Sequence, residues 1–416
     1  MEHCCCGLYK SPLPGCCGLY KSPLPGCCGL YKSPLPALRS GAPKKTAKGS
    51  RRARLAGLLA AGLPLTALPA AAQLTPPPQD PLARMRAAAA AGNNQACSVS
   101  ETSACAQANP KIISTALGSS VLADHLRRLK ELGARVTGTP GMDRAVAWGV
   151  SAFRDAGMDE VSVEDSYAEP PETGPKQKNV VAEIRGRERP EEFVLLGANL
   201  DSGQPGAGPD NACNVALLLE AARDIHLTGL RSRRSIRFVL FSGKEQGMLG
   251  SWAYVRAHRA EMDGAVAAVI FDGGCGRVTG FSLGGRRDIE AGIRDSLDPL
   301  ASWSVAEDTY DALGSGDQLD FLLEGVPNLV ANREEGAGPR AASPTAPEGV
   351  DGSDLRRSAA IAGVLAFGLA EHAAPLGPRL SRAEVESLVK RTGLDEQIRQ
   401  MGLWRSWESG QRGRQP

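Results

Sequence analysis

The sequence predicts an α/β fold, a three-layer sandwich with a mostly parallel central sheet and helices on both faces. Three observations predict it. From about residue 113 to 374, short apolar runs alternate with longer segments of helical periodicity. The runs are nearly continuous in apolar residues, as strands covered on both faces must be. Apolar residues make up 42% of a 416-residue chain, which is enough for a sizeable core.

The elements follow in order. Leu122, Leu126, Leu129 and Leu132 fall at helical spacing, and Ala145, Val150, Phe153 and Gly157 mark a second amphipathic helix. Strands are expected over 179–184, 193–198, 235–241, 265–271 and 328–331. The expected helices cover 214–224, 249–258, 288–297, 318–324 and 355–371. In such a sheet, ligands bind beyond the carboxyl ends of the strands, here after Ala198, Phe241, Phe271 and Ala331.

The flanks are of a different kind. Residues 1–43 form a low-complexity arm in which 5–15, 16–26 and 27–37 are near-copies holding most of the early cysteines, with proline at two positions of each copy. Residues 44–72 read as a signal peptide: a basic stretch from Lys44 to Arg54, an apolar run over 55–68 too short to span a bilayer, and small residues before Gln73. Export to a secreted or periplasmic location is therefore expected, with no membrane association after cleavage. Residues 73–112 are rich in Pro, Ala, Gln and Asn and predict an extended linker, in which Cys97 and Cys105 can pair. Residues 375–416 predict a C-terminal helical extension.

Four clusters lie at the strand ends: Gly197-Ala198-Asn199-Leu200-Asp201-Ser202, Gly206-Ala207-Gly208-Pro209-Asp210-Asn211-Ala212, Phe241-Ser242-Gly243-Lys244-Glu245-Gln246-Gly247, and Ile270-Phe271-Asp272. Any one of their carboxylates alone reads as a solvated strand-end acid. In order and spacing, however, they resemble the zinc-dependent aminopeptidase and plasma glutamate carboxypeptidase family, over about residues 124–372. The resemblance implies two zinc ions that share an Asp, each held further by a His and a carboxylate, with a Glu as general base for the metal-bound water. It places Asp210 at the shared Asp, Glu245 and Asp272 at the terminal carboxylates, and Asp201 behind a ligating imidazole. Its substrates would be peptides or aminoacyl compounds.

The departures from that pattern fall on the chemistry itself. Asn199 stands where the resemblance implies the first ligand His, Lys244 where it implies the general base, and Arg340 where it implies the last His. Three carboxylates without imidazole, beside a lysine, favour weak metal binding. Loss of the base alone costs on the order of 100- to 10,000-fold in rate. None of the five histidines is expected near the strand ends, and Cys213 and Cys275 read as buried small hydrophobes. Lys plus Arg total 48 against 46 for Asp plus Glu, so no basic field attracts nucleic acid. The expected protein is an exopeptidase-fold chain with impaired or absent catalysis. An active enzyme whose true sequence differs at those codons, and a non-catalytic peptide-binding protein, are the alternatives.

Overall fold

The computed structural model describes residues 102–167, 176–202, 210–334 and 352–415. The repeat arm, the signal-like segment, most of the linker, and Arg340 lie outside the described residues. So does the side chain of Asp210. Seven strands form one sheet: β1 (Glu160–Ser166), β2 (Gln177–Ile184), β3 (Arg189–Asn199), β4 (Arg234–Phe241), β5 (Ala265–Ile270), β6 (Val278–Ser282) and β7 (Asn328–Arg333). Their order is β1-β2-β4-β3-β5-β7-β6. The four central strands β4-β3-β5-β7 run parallel, and β1, β2 and β6 complete the edges antiparallel.

Alternation along β3 builds the three layers. Val194, Leu196 and Ala198 face one core with α4 (Asp210–Leu227) and α8 (Gly352–Glu371), while Phe193 and Leu195 face another with Tyr254 and Phe321. Those two aromatic rings belong to α5 (Leu249–Ala257) and α7 (Gln318–Leu323). Burying each such side chain contributes roughly 1.5–3 kcal/mol. Gly197, between the two faces, is required by packing: a Cβ there would stand 2.6 Å from both Ile270 and Phe241. Around α4 and α8 gather α1 (Thr102–Gly118), α2 (Leu122–Leu132), α3 (Pro140–Asp155) and α6 (Glu290–Leu297).

Three features differ from the expectation. The linker expected through residue 112 gives way at Thr102 to α1, because Cys105, Ala108, Ile112 and Ala116 make a buried stripe of mostly small side chains against α4 and α8. Strand β1 was not expected because it is largely exposed, and β6 because Gly280 interrupts a short run. Cys213 and Cys275 are not lone buried hydrophobes: they form a disulfide with Cα atoms 5.4 Å apart. Cys105 is disulfide-bonded too.

Past α8 the chain forms α9 (Arg382–Thr392), α10 (Leu394–Gln400) and α11 (Trp404–Glu408). A capping box starts α9, with Ser381 accepting from the Glu384 amide while the Glu384 carboxylate accepts from the Ser381 amide at 2.7 Å. Val385, Leu388, Val389, Leu394, Ile398 and Trp407 bury themselves against Leu319, Leu322 and Leu323 of α7. The final residues then return to the sheet's side of this cluster. Arg412, fully buried, donates to both carboxylate oxygens of Asp320 at 2.7 and 3.0 Å and lies over the Trp252 ring. Arg412→Ala would leave Asp320 charged and unpaired in the interior, so a loss of about 3–5 kcal/mol is expected from the urea unfolding midpoint. Arg127→Ala, at an exposed pair with Asp124, is expected to cost at most about 0.5 kcal/mol.

Candidate functional site

Parallel strands deliver three chain segments to one place. Beyond the strand ends the ladder continues, with the Leu200 amide donating to the Phe241 carbonyl at 2.7 Å and the Phe271 amide to Gly197 at 2.9 Å. Asn199, Asp201, the Lys244-Glu245 turn and Asp272 therefore stand on neighbouring ends of β3, β4 and β5.

The turn after β4 is sharply bent. Gly243 (φ 70°), Gly247 (φ 103°) and Met248 (φ 61°) all take left-handed backbone, and for Met248 this conformation carries a steric cost. Hydrogen bonds from outside hold it: the Gly243 amide donates to Thr137 Oγ1 at 2.9 Å, the Ser242 amide to Asn179 Oδ1 at 3.0 Å, and Asn179 Nδ2 to the Gly250 carbonyl at 2.9 Å. Gly250 is needed for close approach, since a Cβ there would lie 2.0 Å from the Ser242 carbonyl oxygen.

On this turn, Lys244 Nζ donates to Asp272 Oδ1 at 2.6 Å, and both side chains are about one-fifth exposed, at 21%. Burial opposes the lysine's charge, but Asp272, with Asp317 and Glu245, outweighs it and holds the ammonium above the ordinary lysine range. Asp272 also accepts from the Gly273 amide at 2.7 Å. Glu245 is exposed, while its amide donates to Asp201 Oδ2 at 3.1 Å. Asn199 is buried: its Nδ2 donates to the Asp201 carbonyl at 3.1 Å and its Oδ1 has no hydrogen-bond partner. Asp210 opens α4 beside this cluster in sequence, and Asn211 donates to the Asp201 carbonyl.

Burial pushes the Asp201 carboxyl up to about 6, against backbone donors from Glu245 and Lys244 that pull it down. Asp317 is also raised, well above the ordinary carboxylate range, by burial and by the nearby Asp272 and Asp201 charges. Nothing in the local sequence marks Asp317, or two arginines, Arg135 buried and Arg333 half-buried. Arg135 donates to the Leu200 carbonyl and to Asn211 Oδ1, both at 2.8 Å, and desolvation lowers it below the usual guanidinium range. Arg333, at the end of β7, donates to the Asp272 carbonyl at 3.3 Å, to the Gly276 carbonyl at 2.7 Å and to Asn214 Oδ1. Desolvation lowers it to about 10. Arg135 sits in the Gly133–Gly141 stretch, whose Gly and Pro residues read as a plain loop, and nothing local marks Arg333.

The described histidines are engaged elsewhere. His125 packs edge-on to Trp148, His258 bridges Glu164 and Glu261, and His372 meets Asp295. His226 lies under Gly157. Among the described residues no group of three or more His, Cys, Asp or Glu is placed to hold a metal ion. Next to Asp272 opens a cleft of about 710 Å³ lined by Thr279, Glu307, Thr309, Ser315, Asn332 and Arg333 among others.

Three comparisons bear on this geometry. Residues 179–345 match the model of Peptidase family M28. Over 151 residues the chain is 31% identical to Carboxypeptidase Q of Rattus norvegicus and 30% identical to Carboxypeptidase Q of Homo sapiens. Those alignments take in 36% of this chain and 32% of each relative, so the match spans about a third of the relatives' length. The solved structure of a Peptidase M28 precursor from Shewanella amazonensis SB2B covers 66% of this chain and 98% of its own, at a TM-score of 0.56 and 16% identity, a likeness of fold alone.

A carboxyl raised in the fold stabilises fully below its unfolded value near 3.8, and that contribution is lost as pH climbs through about 6. Asp201→Asn is therefore expected to be more stable than the parent by up to about 3 kcal/mol above pH 6, with the gain vanishing below pH 3.8. Urea midpoints measured at pH 3.5 and 7.5 check this; the same difference at both would contradict it.

Proposed function

We propose that this chain, whose residues 179–345 match the model of Peptidase family M28, is an exported protein of exopeptidase fold that keeps the peptide-facing cleft and has lost metal-dependent hydrolysis. One observation carries the reading: Lys244, at the position the family resemblance gives to the general base, has its ammonium on Asp272 at 2.6 Å. A base must accept a proton from water. Lys244 holds its own proton above the ordinary lysine range, so at neutral pH it has no lone pair to offer.

The donor set disagrees with zinc for the same reason. Asp272 has one oxygen committed to the ammonium, and Asn199 offers an amide in place of an imidazole, with its nitrogen turned to the Asp201 carbonyl. Glu245 and Asp210 would remain as oxygen donors, a set suited to hard cations more than to zinc. No catalytic step is therefore derived through a metal. What these residues support is binding: backbone and hydroxyl groups along the Asp272 cleft can hydrogen-bond an extended peptide, with Thr279, Thr309, Ser315 and Asn332 at its wall. Export is supported by the apolar run after the basic stretch and by three disulfide-bonded cysteines, Cys105, Cys213 and Cys275, since such bonds persist in oxidising compartments. No helix among the described residues is long and apolar enough to cross a membrane.

The test compares the parent with Asn199→His, Lys244→Glu and Arg340→His, singly and combined, for zinc content and for hydrolysis of aminoacyl and dipeptide substrates. The parent is expected to bind peptides without cleaving them. Zinc content is expected to rise in the triple variant before activity does, since the ligands and base act as a unit. A parent that cleaves such substrates at about 1–1,000 per second, and stops on addition of a chelator, would overturn the reading.

A further inference from the structure

In a two-metal site the ions cross-link the segments that bear their ligands. Resting on the reading above, that this site does not hold such a pair, we infer that the chain supplies those cross-links itself, chiefly through the Cys213–Cys275 disulfide. The positions are specific. Cys213 lies three residues after Asp210 on the first turn of α4, and Cys275 lies three residues after Asp272 beyond β5. The bond therefore joins the two segments that carry the shared and the terminal carboxylate positions, closing a sequence separation of 62. Cys213 is wholly buried and Cys275 is half-buried against the same core, so the bond runs from the interior to the partly exposed loop after β5.

Arg333 spans the same gap in parallel. Its guanidinium reaches Asn214 Oδ1, next to Cys213, and also the carbonyls of Asp272 at 3.3 Å and Gly276 at 2.7 Å, which flank Cys275. Lys244 adds the third tie, from the turn after β4 to Asp272. One covalent bond and two cations thus connect α4, the loop after β5, the end of β7 and the turn after β4. The start of α4 is otherwise tied through Asn211 to Arg135 and Asp201, and Asp272 through Phe271 to β3; the bond adds a direct link between the two segments, and a disulfide closing so long a loop removes a large share of the open chain's freedom.

The experiment is hydrogen exchange on the full exported chain, followed at residues 211–214 and 272–276 and, as control, in the centre of β3. Four samples are compared: untreated parent, parent with EDTA, Cys213→Ala/Cys275→Ala, and Arg333→Lys. EDTA is expected to change nothing. The cysteine variant is expected to exchange about 100- to 1,000-fold faster in both segments with the centre of β3 still protected. Arg333→Lys keeps the charge but loses the fork, and is expected to speed the same two segments several-fold. Faster exchange with EDTA would sink the metal-free reading itself. Unchanged exchange in the cysteine variant would sink the cross-link inference and leave that reading standing. Should the cysteine variant fail to fold, unchanged exchange in Arg333→Lys would overturn the inference just as well.

Discussion

The ammonium of Lys244 on the carboxylate of Asp272 sets the terms for everything around it. Parallel strands converge their polar ends on one small region, and this chain brings Asp201, Glu245, Asp272 and Asp317 there. Several carboxylates in partly desolvated surroundings repel one another unless a cation or protons neutralise them. Lys244 supplies one internal cation. For Asp317, burial favours the protonated form, which removes further negative charge, while Asp201 is raised only to about 6 and keeps its charge at neutral pH. The charge balance also keeps Lys244 an ammonium, and a group held in its protonated state has no lone pair with which to accept a proton.

The scaffold is arranged to keep that pair in register. Thr137 and Asn179 hold the strained turn from the side of α3 and β2. From the other side, Arg412 of the C-terminal segment pairs with Asp320, and the Ser251 hydroxyl lies within hydrogen-bond reach of both Asp320 Oδ2, at 2.9 Å, and the Met248 carbonyl, at 3.1 Å. The C-terminal helices, which lie outside the span matched to the peptidase family, thus reach the turn that bears Lys244 and Glu245. A chain from Trp407 and Arg412 through Asp320 to Met248 is buried almost throughout.

The central strands were legible because burial on both faces forces continuous apolar runs, as in Val194-Leu195-Leu196 or Ala265-Val266-Ala267-Ala268. The site was legible where its residues sit directly at strand ends: Asn199, Asp201, Lys244, Glu245 and Asp272 do converge, while Arg340 and the side chain of Asp210 lie outside the described residues. What escaped depends on partners distant in sequence. The Cys213–Cys275 bond joins residues 62 apart, and no local pattern pairs them. Asp317 looks like an ordinary surface charge until the fold encloses it, and Arg333 until its partners from α4 and the loop after β5 reach it. Helix α1 escaped because a stripe of Cys105, Ala108, Ile112 and Ala116, with Pro110 inside the helix, resembles a small-residue linker until α8 covers it.

The central claim is that an internal ammonium stands where a metal centre would otherwise organise these carboxylates. Anomalous diffraction at the zinc edge, from crystals of the mature chain grown with zinc, tests it most directly. The account predicts no zinc peak at the ends of β3, β4 and β5, with Lys244 Nζ in contact with Asp272. Two strong peaks bridged by Asp210, with Lys244 displaced from Asp272, would contradict it.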